Sequence, residues 1–196
     1  MRSKVEEYLA SIPGGIDGYP ECKHKGEPLG VWLDGSPTDG LSKVIPPRIA
    51  ELLRPRADLP VWVPEVHATV IYLAMREVHF ASDEAFLEHA KRLNRGVLET
   101  PVNRVLFWVA SPQSILRGGS VRWGSMHRGS TIEVRTRNEG SAETTLSYPP
   151  YLLPRLIALG NGTGFKVAME NAGGKNVEVT LREYDSTHAT FDSKWR

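Results

Sequence analysis

Arginine is concentrated in one segment of the chain, residues 102–137, and it is the side chain best suited to hold an anion. The segment has six arginines, no lysine and one acidic residue, Glu133, which gives it a formal charge of +5 in a chain of net charge +1. The planar guanidinium binds carboxylates and phosphates through paired hydrogen bonds and stacks on aromatic rings. The segment therefore predicts a site for a small anionic or aromatic ligand.

The centre of the predicted site is the stretch 122–130, between a predicted helix and a predicted strand. Its glycines and serines free backbone amides that can face an anion, and its histidine would make binding depend on pH near about 6.5. The alternative is that these arginines only form surface ion pairs with acids such as Glu133, Glu143 and Glu178. The ligand-binding residues predicted in segment 102–137 are Trp108, Arg122, Trp123, His127 and Arg128.

His67 is a further candidate, because it lies in an apolar helical segment. Positions 67, 71, 74 and 78 share one helical face, so an imidazole there is buried beside Ile71, Ala74 and Val78. A buried imidazole needs a partner for each ring nitrogen, and Glu65, about 200° away around the helix, cannot supply one. Two interpretations stay open: a hydrogen-bonded core histidine, or a residue that lines the ligand pocket.

Cys22 and His24 form a Cys-x-His pair that could bind a metal or act as a nucleophile with its base. A zinc site needs three or four protein ligands at spacings that this pair lacks, and catalytic Cys–His pairs are usually distant in sequence. Lys23 and Lys25 would lower the pKa of the thiol. We favour a packed cysteine and expect neither catalytic residues nor a metal site.

The glycine-rich stretch 160–164 resembles a phosphate-binding loop only superficially. A dinucleotide fingerprint requires a strand before the glycines and a helix start after them, whereas here they interrupt an apolar helical pattern. Ile157, Gly160, Gly164 and Ala168 recur at helical spacing, which predicts close packing of this helix on a sheet.

Helical patterns occupy most of the first 129 residues. Ser3 precedes a short helix that ends before Pro13, Pro64 opens an apolar helix to about residue 80, and Ser82 begins another that Pro101 ends. Residues 102–110 favour a further helix, and Ser111-Pro112 begins one that ends at Gly118. Residues 12–44 hold seven glycines and four prolines without apolar periodicity, which predicts a long irregular loop.

After residue 129 the apolar period changes from 3.6 to 2. Strands are predicted at 131–137 and 142–148, a long helix at 151–172, and two more strands at 176–183 and 189–195. This ββαββ order predicts an α+β protein in which an N-terminal helical layer precedes a four-stranded antiparallel sheet. We expect a single domain, 1–196, made of a helix with a long loop (1–44), a helical part (45–129) and the ββαββ part (130–196).

Composition narrows the class of protein. The chain has 196 residues, 40% of them hydrophobic and 24% charged, an ordinary globular mixture. The balanced charge gives no reason to expect nucleic acid as a partner, and no apolar run reaches the roughly 18 residues that span a bilayer. A single cysteine and the absence of a secretory signal pattern predict a cytoplasmic protein with no membrane association.

Four stretches carry a resemblance to known families: GYPECKHK (18–25), WVPEVHATVIYLAMREVHFASDEAFLE (62–88), RVLFWVASPQSILRGGSVRWGSMHRGS (104–130) and the closing AMENAGGKNVEVTLREYDSTHATFDSKW. They are similar to a paralogous family of myxobacterial proteins without an assigned activity. Several helices followed by ββαββ also resemble two sensor folds, the haem-binding H-NOX domain and the vinyl reductase-type ligand-binding domain.

The sequence departs from the cofactor motifs of both sensor folds. H-NOX domains hold haem through a histidine on a helix before the first strand and a Tyr-x-Ser-x-Arg motif, and residues 100–110 contain no histidine. The zinc sites of vinyl reductase-type domains use cysteines, and Cys22 stands alone. The resemblance therefore implies a sensor-like scaffold, and we expect neither cofactor.

These observations predict a non-catalytic sensory module that binds a small anionic or aromatic molecule in cytoplasmic signalling. Its expected partners are that ligand and a protein partner or second copy of the chain. A protein–protein adaptor domain is the first alternative, because no catalytic constellation is visible. A cysteine- or metal-dependent enzyme that uses Cys22 with His24 or His67 is the second.

Overall fold

The computed structural model describes residues 2–98 and 111–196. The helix predicted at 102–110, and Trp108 within it, lie outside these residues. The helices of the described part are α1 (Lys4–Ser11), α2 (Gly26–Gly35), α3 (Pro47–Ala50), α4 (Glu65–His79), α5 (Asp83–Leu98), α6 (Pro112–Arg117), α7 (Gly119–Met126) and α8 (Arg155–Asn171). The strands are β1 (Lys23–Lys25), β2 (Trp62–Pro64), β3 (His127–Arg128), β4 (Thr131–Asn138), β5 (Ser141–Ser147), β6 (Glu178–Tyr184) and β7 (His188–Lys194).

The helix starts read from the sequence are confirmed. The side chain of Ser3 accepts a hydrogen bond from the Glu6 amide, and Glu6 bonds back to the Ser3 amide, so α1 begins with a capping box. Ser111 caps α6 in the same way, with Pro112 at the first helical position. Helix α4 follows Pro64 and is buried from Glu65 to Met75, as expected for a helix that is apolar on nearly all sides.

The prediction of a long irregular loop over residues 12–44 is wrong. This stretch contains β1 and α2, as well as short 3₁₀ turns at Gly15–Asp17 and Leu41–Lys43. The glycines of this stretch suggested a loop, but in the structure they allow close packing. A Cβ on Gly26, for example, would lie 2.1 Å from the carbonyl oxygen of Pro60. A three-residue strand such as β1 is also too short to show a period of two.

The ββαββ prediction is confirmed. Strands β4, β5, β7 and β6 pair in that spatial order, and every neighbouring pair is antiparallel. Ile132 lies opposite Leu146, and Leu146 lies opposite Ala189, so one face of this sheet is apolar. Helix α8 packs against β6 and β7 on one side and against α5 on another. The protein is therefore α+β, with N-terminal helices and a C-terminal antiparallel sheet.

A second, three-stranded sheet was not predicted and is central to the site described below. Its order is β2-β1-β3, with both pairs antiparallel. His24 in β1 lies opposite Val63 in β2 and His127 in β3. The small sheet thus connects the start of α4, directly after β2, to the end of α7, directly before β3.

Both parts of the chain contribute to one hydrophobic core. Buried side chains from the N-terminal helices, including Leu29, Ile71 and Phe86, belong to the same cluster as Leu146 and Phe191 of the large sheet. None of the described helices is both long enough and apolar enough to cross a lipid bilayer.

Two glycines of α8 differ in surroundings and make a matched test of the packing. A Cβ on Gly160 meets nothing within 4 Å, whereas a Cβ on Gly162 would lie 2.9 Å from the buried ring of Phe191. We expect Gly160→Ala to raise the free energy of unfolding by about 1 kcal/mol through helix propensity. Gly162→Ala should be destabilising, because overpacking costs about 1–3 kcal/mol. Urea unfolding of both variants measures this, and equal effects would contradict the packing described.

Candidate ligand-binding site

A cavity of about 260 Å³ lies between the N-terminal helices and the large sheet. Helices α2, α4, α5, α6, α7 and α8 contribute to its wall, together with strands β4 and β5. Most of the lining is apolar or aromatic. The larger apolar side chains that line it include Trp32, Phe86, Leu93, Ile115, Leu116, Trp123, Met126, Ile132, Ile157 and Phe165.

One wall of this cavity is polar and is formed by His24, Tyr72 and His127. The His24 and His127 rings meet edge to face with centroids 4.9 Å apart, and the Tyr72 hydroxyl lies 3.4 Å from Nε2 of His24. Burial raises the pKa of Tyr72 well above its usual range, so its hydroxyl is protonated and is the donor to His24. We call these three residues and Glu65, which lies behind them, the polar wall.

The tautomer of His24 follows from its hydrogen bonds. Nδ1 lies 2.6 Å from the carbonyl oxygen of Lys25, and a carbonyl can only accept, so Nδ1 carries the proton. The pKa of His24 falls to about 4, because burial disfavours the charged ring and outweighs the attraction of Glu65. At neutral pH His24 is therefore an uncharged ring whose Nε2 lone pair is on the Tyr72 side.

Glu65 is a buried carboxylate paired with His127. Its Oε2 lies 3.1 Å from Nδ1 of His127, and both side chains are nearly inaccessible to solvent. Burial alone would raise the pKa of Glu65, but the imidazoles of His127 and His24 outweigh this effect and hold the pKa below its usual range. The pair satisfies a carboxylate that would be very costly to bury alone.

Trp123 fixes the plane of the His127 ring. The two rings stack with centroids 3.8 Å apart and planes within 7° of each other. The indole Nε1 donates to the hydroxyl of Ser130, 3.0 Å away, so the tryptophan is held from its far side as well. The orientation of His127 is thus set by a carboxylate at its edge and an indole on its face.

The described arginines of segment 102–137 do not converge on one site. Arg122 lines the cavity with Trp123 and His127. Arg128 points elsewhere, with its guanidinium 4.0 Å from the centre of the Trp62 ring. The ion pairs weighed as the alternative do occur on the exposed sheet face, where Arg135 pairs with Glu133 and Arg137 with Glu143.

His67 is not among the residues that line the cavity. Its Nε2 lies 3.2 Å from the carbonyl oxygen of Ile16, and burial lowers its pKa. This environment is that of a hydrogen-bonded core histidine, the first of the two interpretations. Of the six predicted ligand-binding residues, Arg122, Trp123 and His127 line the cavity, Arg128 and His67 lie outside it, and Trp108 is outside the described residues.

Cys22 is a packed thiol. It is fully buried, and burial together with the carboxylates of Glu21 and Glu65 raises its pKa to about 11. The expected effect of Lys23 and Lys25 is therefore wrong in sign. Gly129, at φ +78°, covers the sulfur so closely that a Cβ there would lie 2.3 Å from Sγ.

Sequence reasoning missed Glu65 and Tyr72 and assigned His24 to a different pairing. Glu65 is an acidic residue in the first turn of a helix, a common position because the charge complements the helix dipole. The one available signal was its position beside Pro64, at the start of a helix with no polar face. The partners of Glu65 lie 41 and 62 residues away in the chain, so no local pattern connects them.

The Glu65–His127 pair can be tested against an exposed ion pair. Glu65→Ala leaves a buried imidazole without its acceptor, and we expect the free energy of unfolding to fall by about 1–3 kcal/mol. Glu133→Ala removes an exposed partner of Arg135 and should change it by about 0–1 kcal/mol. Chemical denaturation of both variants measures the difference, and a Glu65→Ala variant as stable as Glu133→Ala would show that the pair contributes nothing.

Comparison of the sequence alone finds no matching protein family and no matching characterised protein. Comparison of the structure finds H-NOX domains. An oxygen-binding H-NOX domain related to soluble guanylate cyclases, solved as its oxygen complex, superposes with a TM-score of 0.58 at 10% identity and covers 88% of this chain and 95% of its own. The unliganded Fe(II) H-NOX protein from K. algicida gives 0.56 at 12% identity, covering 88% and 96%.

A third H-NOX structure, from work on heme distortion in that family, gives a TM-score of 0.56 at 10% identity, covering 88% of this chain and 95% of its own. Identities this low speak to the fold alone. The resemblance expected from the order of helices and strands is thereby confirmed: this chain is distantly similar to H-NOX domains and shares their fold.

Proposed function

We propose that this protein is a non-catalytic sensory module that binds a small anionic molecule with an aromatic or apolar body. The observation that carries the proposal is the cavity between the helices and the large sheet, apolar over most of its lining and polar at His24, Tyr72 and His127. Such a combination of apolar surface with a few convergent polar groups is typical of small-molecule sites.

The size of the cavity agrees with a compact ligand. An engineered cavity of about 150 Å³ in another protein binds benzene, so about 260 Å³ accommodates a substituted ring. Thr144 adds an unused polar group, since its buried hydroxyl lines the cavity and has no hydrogen-bond partner within residues 2–98 and 111–196. A ligand with an oxygen or nitrogen atom near Thr144 would satisfy it.

The position of Arg122 supports the proposal that the ligand is an anion and not a neutral molecule. It is the one arginine of segment 102–137 among the described residues that line the cavity. A carboxylate held by this guanidinium leaves the ring of the ligand for the apolar lining, which includes Trp123 and Phe165. The proposed ligand therefore belongs to the class predicted from the sequence, but its binding site does not include Arg128.

The proposal is non-catalytic because the described cavity lining holds no activated nucleophile. Cys22, the thiol considered for an enzyme, is buried with a raised pKa, and a thiolate is the reactive form. The proposal also includes a cytoplasmic setting and an output through a protein partner or a second copy. The adaptor alternative would use exposed apolar side chains, and the large ones in the described part of the chain are Val61, Val78, Val121 and Tyr151.

Haem, the subject of work on several of the similar H-NOX structures, does not fit the residues present. A haem iron held by a histidine, as the resemblance to H-NOX domains implies, needs that histidine at the cavity. Of the six histidines of the chain only His24 and His127 line it. His127 is bonded to Glu65 and covered by Trp123. A cavity of about 260 Å³ is also below the roughly 300–1,000 Å³ of pockets for drug-sized ligands, and a porphyrin of four linked pyrroles is larger than those.

Hemin titration tests this misfit. We expect no sharp Soret band that depends on a single histidine, because neither cavity histidine has room for a macrocycle. The wild-type protein is compared with His24→Gln and His127→Gln by visible spectroscopy. A sharp Soret band that saturates at one equivalent of hemin and is lost in either variant would contradict this expectation. Haem would then be the ligand of the cavity.

Benzoate and benzamide are matched probes for the anionic site, because they differ in charge and little in shape. We expect benzoate to bind and raise the melting temperature, with benzamide at least tenfold weaker. Arg122→Gln should weaken benzoate by about ten- to a hundredfold, since a charge-assisted hydrogen bond contributes about 1.5–3 kcal/mol. Calorimetry and thermal shift are the measurements.

Arg128→Gln is the control for that experiment. It removes the same charge from the same segment at a side chain that stacks on Trp62 outside the cavity. Its benzoate affinity should stay within about twofold of wild type. If both variants lose affinity equally, the anion is attracted by overall charge and the cavity is not its site. Absence of binding by any small aromatic acid would favour the adaptor alternative.

A further inference from the structure

The side chains of the polar wall have the composition of a transition-metal site. His24, Glu65 and His127 each offer one donor atom, these atoms all lie within 4.8 Å of one another, and all three residues are buried. No other such group of three occurs among the described residues. Two imidazoles with one carboxylate form a known ligand set for Zn²⁺ and for non-haem Fe²⁺.

We propose that His24, Glu65 and His127 bind one divalent transition-metal ion at the polar wall, and that this ion holds the anionic ligand in the cavity. The inference extends the proposed function, on which its second half rests. This set of ligands was not predicted from the sequence, because the three residues come from β1, the first turn of α4 and β3.

The geometry of His24 is that of a prepared ligand. Its Nδ1 proton is donated to the carbonyl oxygen of Lys25, 2.6 Å away, which leaves the Nε2 lone pair available. Metal-binding histidines characteristically donate their second nitrogen to a carbonyl or carboxylate in this way, which fixes both tautomer and ring orientation. Strand β1 fixes the position of this backbone by pairing with strands on both sides.

Glu65 and His127 already stand at the separation of neighbouring ligands. Their Oε2 and Nδ1 atoms lie 3.1 Å apart, and two donors at about 2.0–2.2 Å from one ion have a similar spacing. The ion would replace the proton between them, and that proton would leave to solvent. Donors about 2.0–2.2 Å from a tetrahedral ion are about 3.4 Å apart. A pair of donor atoms at the 4.8 Å limit therefore closes by roughly 1.4 Å when the ion binds.

The open side of such an ion faces the cavity. His24 and His127 line the cavity, whereas Glu65 is not among its lining residues. Three protein ligands leave at least one position for an exogenous donor, and a carboxylate oxygen suits it. The Tyr72 hydroxyl, near His24 Nε2, can then donate to the bound anion, and Trp123 covers the ring of His127 throughout.

Cobalt(II) titration of chelator-treated, tag-free protein tests the metal site. We expect one Co²⁺ to bind per chain, with the strong visible absorption of four- or five-coordinate Co²⁺. One equivalent of Zn²⁺ should displace the Co²⁺, whereas Mg²⁺ should not. His24→Gln and Glu65→Gln should each weaken Co²⁺ by roughly a hundredfold, because each removes a ligand from a site where even outer contacts contribute 10–100-fold. Circular dichroism of the metal-free variants verifies folding.

His188→Gln is the matched control. His188 lies 2.8 Å from Asp185 at the surface and so is also an imidazole–carboxylate pair, but it is outside the proposed site. Its Co²⁺ affinity should equal that of wild type. Failure of wild-type protein to bind Co²⁺ or Zn²⁺, or equal binding by wild type and His24→Gln, overturns the proposal. If Glu65→Gln does not fold, His24→Gln alone decides.

Benzoate added to the Co²⁺-loaded protein tests the second half. A changed visible spectrum with tighter benzoate binding than in metal-free protein is expected. An unchanged spectrum with equal affinity means that the anion binds without the ion, which overturns the metal-held ligand and leaves the proposed function standing. If the protein binds the metal but never binds benzoate, the metal site is supported and the proposed class of ligand is wrong.

Discussion

The hydrogen bond between Glu65 and His127 joins elements that are far apart in the chain. Glu65 begins the buried helix α4, and His127 begins β3 at the end of α7, so the pair ties the N-terminal helices to the segment that leads into the large sheet. A buried carboxylate requires such a partner. Once this bond forms, the register of β1 between β2 and β3 places His24 against the same pair, and the polar wall is complete.

The apolar part of the cavity depends on a different constraint, the glycines of α8. Gly162 lets the helix approach Phe191 of the large sheet, whereas Gly160 and Gly164 face the cavity and leave space there. A helix interior rich in glycine forgoes about 1 kcal/mol per residue of helix propensity. At Gly160 this cost falls beside the cavity, where a Cβ would meet nothing within 4 Å.

Helices and strands could be predicted from the sequence where the pattern that defines them spans only a few neighbouring residues. Ser3 and Ser111 marked helix starts, and alternation over 131–137 marked a strand, because capping and period two act over a few residues. The same reading failed for β1 and α2, where glycines serve packing against residues distant in the chain. The local excess of arginine pointed to Arg122, Trp123 and His127, which line the cavity. No local pattern points to Glu65 or Tyr72, which only the fold brings beside His24 and His127.

The proposed ligand site requires that His24 and His127 belong to the polar wall of the cavity and that His24 be a neutral ring whose Nε2 is unprotonated. A long-range ¹H–¹⁵N correlation spectrum of the histidine side chains at neutral pH tests this most directly. We expect His24 to be the Nδ1–H tautomer. Added Zn²⁺ or benzoate should shift the signals of His24 and His127 while those of His67 and His188 stay unchanged. An Nε2–H tautomer at His24, or signals of His24 and His127 that neither addition moves, would contradict it.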